Sequence, residues 1–141
     1  MSQIDTEIAT LLRRNGLSVT KQRLTVFALL EGREPISMYE LYELAREQLD
    51  RASLYRTIAT FEKLGIVRRV NIGWKYKVEL NDMFSEHHHH LTCLNCHTVI
   101  PMSEDELETF IDTVATRHHF TPIEHEVEIQ GYCENCCTQF R

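Results

Sequence analysis

The chain has 141 residues, 43% of them hydrophobic, and a formal net charge of −6. This length suits one domain or two small ones, and no apolar run approaches the ~18 residues that a membrane span needs. The N-terminus lacks the basic segment and apolar block of a secretion signal, so we expect a cytoplasmic protein with no membrane partner.

Charge and metal-binding residue types are unevenly divided along the chain. Residues 1–77 contain 13 Lys and Arg against 9 Asp and Glu, a balance of +4, whereas residues 78–141 contain 2 against 12, a balance of −10. All five cysteines and all eight histidines lie beyond residue 86. This division indicates a first part that meets a polyanion and a second part that binds metal.

Four helices are predicted in the first part, because apolar residues recur there at helical spacing. Thr20 and Ser37 are the expected N-caps of the second and third helices, and Gly65 is expected to end the fourth. The four segments are residues 5–16, 20–32, 37–49 and 53–65.

The exposed face of the fourth helix suits the major groove of DNA, since it combines small, hydroxyl and basic side chains. Arginine can bind a guanine edge, hydroxyl groups can bind phosphates, and short side chains allow a close approach. We expect DNA contacts from this helix and from two basic residues of the second helix. They are Ala52, Ser53, Tyr55, Arg56, Thr60 and Lys63, with Lys21 and Arg23.

A basic hairpin is predicted over residues 66–80, because apolar and charged residues alternate there around a turn near Asn71–Gly73. Helices followed by a basic two-stranded ribbon predict a winged-helix DNA-binding domain over residues 1–80. The alternative is a small helical bundle with a solvated hairpin. In the winged helix, the phosphate contacts would include Arg68, Arg69, Lys75 and Lys77.

Residues 81–141 are predicted to form a small α/β domain with little core of its own, where a metal can stabilise the fold. Its helix, residues 103–120, begins with a predicted capping box of Ser103 and Glu106, and an alternating strand is predicted over 121–133. The helix is expected to bury Leu107, Phe110, Ile111 and Val114. The predicted fold class of the whole chain is therefore α+β.

Two C-x-x-C pairs predict a structural zinc site. Four thiolates can surround Zn²⁺ tetrahedrally and leave no open position for a substrate. The ligands are Cys93, Cys96, Cys133 and Cys136, with Cys137 as a substitute for Cys136.

The run of histidines "HHHH" before the first C-x-x-C predicts a second site. In an extended strand, His87 and His89 face one way and His88 and His90 the other, so one run can serve two metal sites. Taken alone, His125 is more readily explained as a core residue and Glu108 as a solvated one. Together with the run, they predict a second metal site of His87, His89, Glu108 and His125.

The sequence resembles the ferric uptake regulator family of bacterial metal-dependent repressors. The resemblance spans nearly the whole chain, through "LSVTKQRLTVFALL", "SLYRTIATFEKLGIV", "YKVEL", "HHHHLTCLNC" and "IEHEVEIQGYCENC". It implies an N-terminal winged helix, a C-terminal dimerisation domain and a homodimer on pseudo-palindromic operators. It also implies the two metal sites above and an interdomain sensing site that includes Glu79, His88 and His90.

This sequence departs from the family pattern at several positions. Pro35 and Pro101 stand where the family supplies sensing ligands, and proline has no ligand atom in its side chain. His97 and His119 stand where members usually carry glycine.

We therefore expect a homodimeric, metal-responsive repressor, not an enzyme, with no small-molecule substrate. Its expected cofactors are a structural zinc and a second metal, zinc or iron, in each protomer. One alternative is a relative with structural zinc only that no longer senses metal. The other is a zinc hydrolase that uses the histidine cluster, with Glu108 as its base.

Overall fold

The structure is a computed structural model that describes residues 3–140, with the side chains of residues 6–139. It is a mixed α and β chain, which confirms the predicted α+β class. The chain divides into two compact units between Glu86 and His87. None of the helices within residues 3–140 is long and apolar enough to span a membrane.

The first unit contains four helices and one antiparallel two-stranded sheet. The helices are α1 (Gln3–Arg14), α2 (Lys21–Leu30), α3 (Met38–Ala45) and α4 (Arg51–Lys63), and the strands are β1 (Val67–Ile72) and β2 (Lys75–Leu80). Two predicted N-caps are confirmed, because Thr20 accepts from the Arg23 N–H and Ser37 forms a full capping box with Glu40. The α4 helix begins earlier than predicted, since Asp50 caps it through the Ser53 N–H.

One hydrophobic core holds the first unit together. Helical spacing brings one apolar stripe from each helix inward. Three buried residues of the two strands, Val67, Val78 and Leu80, pack against these stripes. Its fully buried side chains include Ile8, Leu12, Val26, Phe27, Leu41, Leu54, Phe61 and Val78. A core of this size fixes the position of α4 and of the β1–β2 ribbon.

The second unit contains a three-stranded sheet with the order β4-β3-β5. Its elements are β3 (His89–Cys93), β4 (Val99–Met102), α5 (Asp105–Arg117), β5 (Glu128–Gly131) and α6 (Glu134–Cys137), followed by a 3₁₀ turn, Thr138–Phe140. The β3 strand pairs antiparallel with β4 and parallel with β5. The C-terminal ends of β3 and β5 therefore meet at one edge of the sheet.

Three expectations for the second unit are wrong in detail. The α5 helix has Glu104 at its N-cap, without a side-chain hydrogen bond, so the capping box of Ser103 and Glu106 does not form there. The strand predicted over 121–133 is reduced to β5, because residues 124–127 lie outside the strand ladder. Phe110 is 64% exposed, and α5 contains no buried residue.

His97 and His119 adopt left-handed backbone conformations, with φ of 62° and 53°. Glycine adopts this region freely, whereas a residue with a Cβ atom is strained there. The two departures from the family's glycines therefore fall where the turns require positive φ.

Candidate metal centres and nucleic-acid face

The cysteine group (Cys93, Cys96, Cys133 and Cys136) forms where two parallel strands end side by side. Cys93 is the last residue of β3 and is the sheet partner of Gly131 at the end of β5, so both C-x-x-C loops leave the same edge. All four Sγ atoms lie within 4.8 Å of one another. The Sγ atoms of Cys96 and Cys133 are 3.7 Å apart, close to the edge of about 3.8 Å that a tetrahedron with 2.3 Å bonds would have.

The four thiols differ in acidity. Hydrogen bonds from the backbone N–H groups of Cys133 and Cys96 lower the pKa of Cys93 to about 6, and contacts with Thr98 lower the pKa of Cys96. A backbone hydrogen bond from Cys136 favours the Cys133 thiolate, but the Cys136 thiol, burial and the neighbouring sulfurs oppose it, and the pKa of Cys133 rises to about 11. A divalent cation would stabilise all four thiolates together, so the group fits zinc.

The structure places Cys136, not Cys137, in the cysteine group. The α6 helix turns Cys136 inward, where it is buried and its sulfur accepts a hydrogen bond from Asn95 Nδ2 at 3.3 Å. The thiol of Cys137 instead donates to the carbonyl oxygen of Glu134 at 3.2 Å. The sequence alone could not show which of these two cysteines belongs to the group, because the answer depends on which face of α6 each side chain occupies.

The histidine–glutamate group (His87, His89, Glu108 and His125) joins three elements of the second unit. Its histidines come from β3 or from the segments before β3 and β5, and Glu108 comes from α5. Its four ligand atoms also lie within 4.8 Å of one another. The sequence proposed these residues as one site, and the structure brings all of them together.

Distances within the histidine–glutamate group suit a small cation. The Nε2 atoms of His87 and His125 are 3.1 Å apart, and Glu108 oxygens lie 2.7 Å from His89 Nε2 and 2.9 Å from His125 Nε2. A tetrahedron with bonds of 2.0–2.1 Å has edges of about 3.3 Å. Three imidazoles and a carboxylate at this spacing fit a divalent metal.

Glu108 is held as a carboxylate in this group. Burial opposes its ionisation, but the hydrogen bond with His89 and the charges of His125 and His87 outweigh burial and lower the pKa of Glu108. His89 is only 1% exposed, and its second ring nitrogen, Nδ1, accepts a hydrogen bond from the Val127 N–H at 3.1 Å. The proton of the neutral His89 ring therefore lies on Nε2, which faces Glu108.

The three residues that the resemblance assigned to a sensing site belong to different units. In the first unit, Glu79 lies on β2 and is buried, with one oxygen 2.8 Å from Arg68 Nε. In the second unit, the rings of His88 and His90 contact each other edge to face at 4.9 Å. Pro101 is the sheet partner of His90 on β4, so a ring without a ligand atom stands opposite His90.

A polar cavity of about 260 Å³ opens between α2 and α4 in the first unit. It gathers Arg23, Ser53, Arg56 and Thr60, all predicted to contact DNA, and Arg56 Nη2 donates to Ser53 Oγ at 3.1 Å. Sequence reasoning missed Gln22 and Thr57 and used Thr20 only as a cap, although helical spacing places Thr57 one turn before Thr60 on α4. The whole lining is Thr20, Gln22, Arg23, Ser53, Arg56, Thr57 and Thr60.

The other residues predicted to contact DNA differ in exposure. Those with exposed side chains are Lys21, Ala52, Tyr55, Lys63 and Lys75. Lys77 is half-buried. Arg68 is largely buried, because its side chain is 11% exposed and lies in an ion pair with Glu79. Arg69 points the other way, where it pairs with Glu62 and stacks 4.1 Å from the centre of the Tyr76 ring.

Comparisons with known proteins match this chain over most of its length. The Ferric uptake regulator family matches residues 14–130. The ferric uptake regulation protein of Klebsiella pneumoniae is 35% identical over 136 residues, which cover 91% of this chain and 85% of that protein.

Two solved structures of ferric uptake regulators are also similar to this chain. The Vibrio cholerae ferric uptake regulator superposes with a TM-score of 0.73 at 30% identity, over 89% of this chain and 98% of that one. The ferric uptake regulator from Pseudomonas aeruginosa with manganese gives a TM-score of 0.74 at 26% identity, over 87% and 95% of the two chains.

Proposed function

Because this chain belongs to the ferric uptake regulator family, we propose that it is a homodimeric repressor that binds pseudo-palindromic operator DNA with a metal as corepressor. Members of this family are metal-dependent transcription regulators and not enzymes, which rules out the zinc-hydrolase alternative. The observation that carries the proposal is the convergence of three imidazoles and one carboxylate in the histidine–glutamate group. We place the protein in the cytoplasm, where its DNA partner lies.

We assign a structural zinc to the cysteine group. Four sulfurs fill a tetrahedron and leave no position for a further ligand. The second unit has few buried apolar side chains of its own among the described residues. A metal that links the loop after β3 to α6 would therefore supply stability that apolar packing does not.

We assign the corepressor metal to the histidine–glutamate group. Imidazole nitrogens with one carboxylate suit zinc or ferrous iron. A bound metal would supply a positive charge to hold Glu108 of α5 against the histidines, which lie on or before β3 and before β5. Without the metal, only hydrogen bonds would join these groups. Metal binding should therefore make the second unit more rigid.

We propose that the first unit is a winged helix with α4 in the major groove and the β1–β2 ribbon as the wing. The support is the polar cavity beside Arg56 and the exposed basic residues around it. Arg56 is positioned through Ser53, which is in turn bonded to the N-cap Asp50. Ser53 itself is buried, contrary to the exposed position predicted for it, so it acts by positioning Arg56. The proposed contact residues are Lys21, Arg23, Ala52, Tyr55, Arg56, Thr60, Lys63 and Lys75.

We propose that the second unit forms the dimer. Large apolar side chains are exposed on it in the single chain, including Phe110 and Ile123, which is 95% exposed. Patches of this kind on a small protein mark interaction sites. A second copy that covers them would pair two first units for the two half-sites of an operator.

Metal-dependent DNA binding tests the proposal. A duplex is selected from a randomised library with metal-replete dimer, and its affinity is measured by fluorescence anisotropy with Zn²⁺, with anaerobic Fe²⁺, or with a chelator too weak to remove the cysteine-bound zinc. We expect one of the metals to raise the affinity by about 5–150-fold, the usual range of such coupling. Glu108→Gln should remove this gain and leave the dimer intact.

Equal affinity with and without metal would contradict the proposal. It would favour the relative that keeps structural zinc and no longer senses metal. A monomer at micromolar concentration would contradict the dimer separately.

A further inference from the structure

A largely buried cluster of three charges lies beside the β1–β2 ribbon of the first unit. Arg68 of β1 is the sheet partner of Glu79 of β2. Its Nε atom is 2.8 Å from Glu79 Oε1, and its Nη1 atom is 3.2 Å from Oδ1 of Asp82, just beyond β2. The exposed fractions of the three side chains are 11% for Arg68, 4% for Glu79 and 30% for Asp82.

The Arg68 guanidinium occupies the position that a cation would take between these two carboxylates. A guanidinium stays charged at every physiological pH and presents its N–H groups in a fixed plane that suits carboxylates. A divalent ion seeking the same oxygens would have to displace the guanidinium, which would then remain buried without its partner. Such a charge is costly to leave uncompensated away from water.

We propose that Arg68 is a permanent internal cation that closes Glu79 and Asp82 to divalent metal. This inference rests on the proposed function and narrows it, because it leaves the histidine–glutamate group as the site through which metal acts. It removes Glu79 from the candidate ligands and Arg68 from the candidate phosphate contacts. The prolines at positions 35 and 101, which have no ligand atom in their side chains, are consistent with the loss of the sensing site that the resemblance implied.

The neighbouring Arg69 provides a matched control. It lies next to Arg68 on β1, but its side chain points to the other face, pairs with Glu62 and is half exposed. Replacing Arg69 removes the same charge from the same strand. It leaves Glu79 and Asp82 with their guanidinium.

Manganese binding to the full-length, zinc-loaded protein tests the proposal. Mn²⁺ favours oxygen ligands, and its free fraction can be followed by electron paramagnetic resonance. Wild type, Glu79→Gln and Arg69→Met should bind the same number of Mn²⁺ ions with affinities that agree within about twofold. Arg68→Met should bind one additional Mn²⁺ per protomer, and the double variant Arg68→Met/Glu79→Gln should lose it.

Two results would overturn the proposal. A drop of tenfold or more in Mn²⁺ affinity in Glu79→Gln would show that Glu79 is a ligand despite Arg68. The absence of an additional ion in folded Arg68→Met would show that the guanidinium does not replace a cation. If Arg68→Met fails to fold, the comparison of Glu79→Gln with wild type decides alone.

These outcomes are separate from a failure of the proposed function. Metal-independent operator binding would contradict metal-responsive repression, whatever the Mn²⁺ stoichiometry. Manganese binding measures the Arg68 cluster directly and needs no DNA.

Discussion

The backbone N–H of Val127 donates a hydrogen bond to Nδ1 of His89 over 3.1 Å. Because Nδ1 is the acceptor, Nε2 carries the ring proton and faces Glu108 Oε1 at 2.7 Å. A metal bound at Nε2 displaces that proton. The neutral ring can then hold a proton only at Nδ1, where it opposes the Val127 N–H.

We therefore predict that the histidines of the histidine–glutamate group contribute unequally to metal binding. His125→Ala should weaken the metal by about 100-fold or more, whereas His89→Ala should weaken it by roughly tenfold. The difference, about 1.4 kcal/mol, is the size of one net hydrogen bond, which His89 must give up to bind metal. Competition with a fluorescent chelator in zinc-loaded protein measures both affinities. Equal losses would show that His89 binds metal without breaking its bond to Val127.

The two cysteines at the end of α6 provide a matched pair. Cys136→Ser removes a sulfur from the cysteine group and should reduce the zinc content from about one per protomer at this site to well below one half, with loss of the dimer. Cys137→Ser should leave both unchanged, because that thiol bonds only to Glu134 within α6. Elemental analysis with sedimentation measures zinc and oligomeric state together. Zinc loss in Cys137→Ser alone would reverse the assignment.

Arg56 should determine operator specificity. Arg56→Ala should cost about 1–3 kcal/mol on a selected duplex, with little change on random DNA. Arg13→Ala removes a charge from the exposed end of α1 and should change neither. Anisotropy titrations and thermal unfolding of each variant measure binding and folding separately. Unaltered specificity in folded Arg56→Ala would remove α4 from the recognition role.

Trp74 should report DNA binding by fluorescence. It is the single tryptophan of the chain, lies at the β1–β2 turn and is 89% exposed, with Lys75 Nζ 4.9 Å from the centre of its ring. Operator DNA that meets the wing should shelter the indole, so its emission should move to shorter wavelength and resist acrylamide quenching. Metal added without DNA should leave both signals near their starting values. An unchanged spectrum in a complex shown by anisotropy would place the wing away from DNA.

The elements of the first unit could be predicted from the sequence because local signals agreed with packing. Thr20 and Ser37 both cap the helices that they were expected to cap, and apolar spacing located all four helices. The start of α4 was missed by two residues. No cap was predicted for this helix, whereas in the structure Asp50 caps it by accepting hydrogen bonds from the backbone N–H and the hydroxyl of Ser53.

The second unit was harder to predict, because its apolar pattern does not describe its own packing. Phe110 continues the apolar stripe of α5 but remains exposed within one chain. Alternation over 121–133 predicted a continuous strand, whereas only β5 finds a partner, in β3. His125 lies before β5, where its ring meets Glu108.

Among the candidate sites, the two metal groups could be predicted from the sequence, whereas the ion pair of Arg68 could not. Ligand types and spacing were enough to propose both groups of four, because sulfur and imidazole are rare and clustered in this sequence. The partner of Arg68 could not be read in advance, since it depends on sheet register. Register brings Arg68 opposite Glu79, which turns an apparent phosphate contact into an internal ion pair.

The meeting of β3 and β5 at one sheet edge has a consequence for the order of assembly. A metal in the cysteine group closes the chain between Cys96 and Cys133 into a ring, and in the unfolded chain such a closure removes entropy worth roughly 4 kcal/mol by analogy with a disulfide. Glu108 and His125 lie inside that ring, whereas His87 and His89 lie outside it. If zinc fills the cysteine group first, less conformational entropy is lost when the residues of the histidine–glutamate group come together. Where the proposed corepressor is iron, zinc scarcity would then weaken the response to iron, even where iron is abundant.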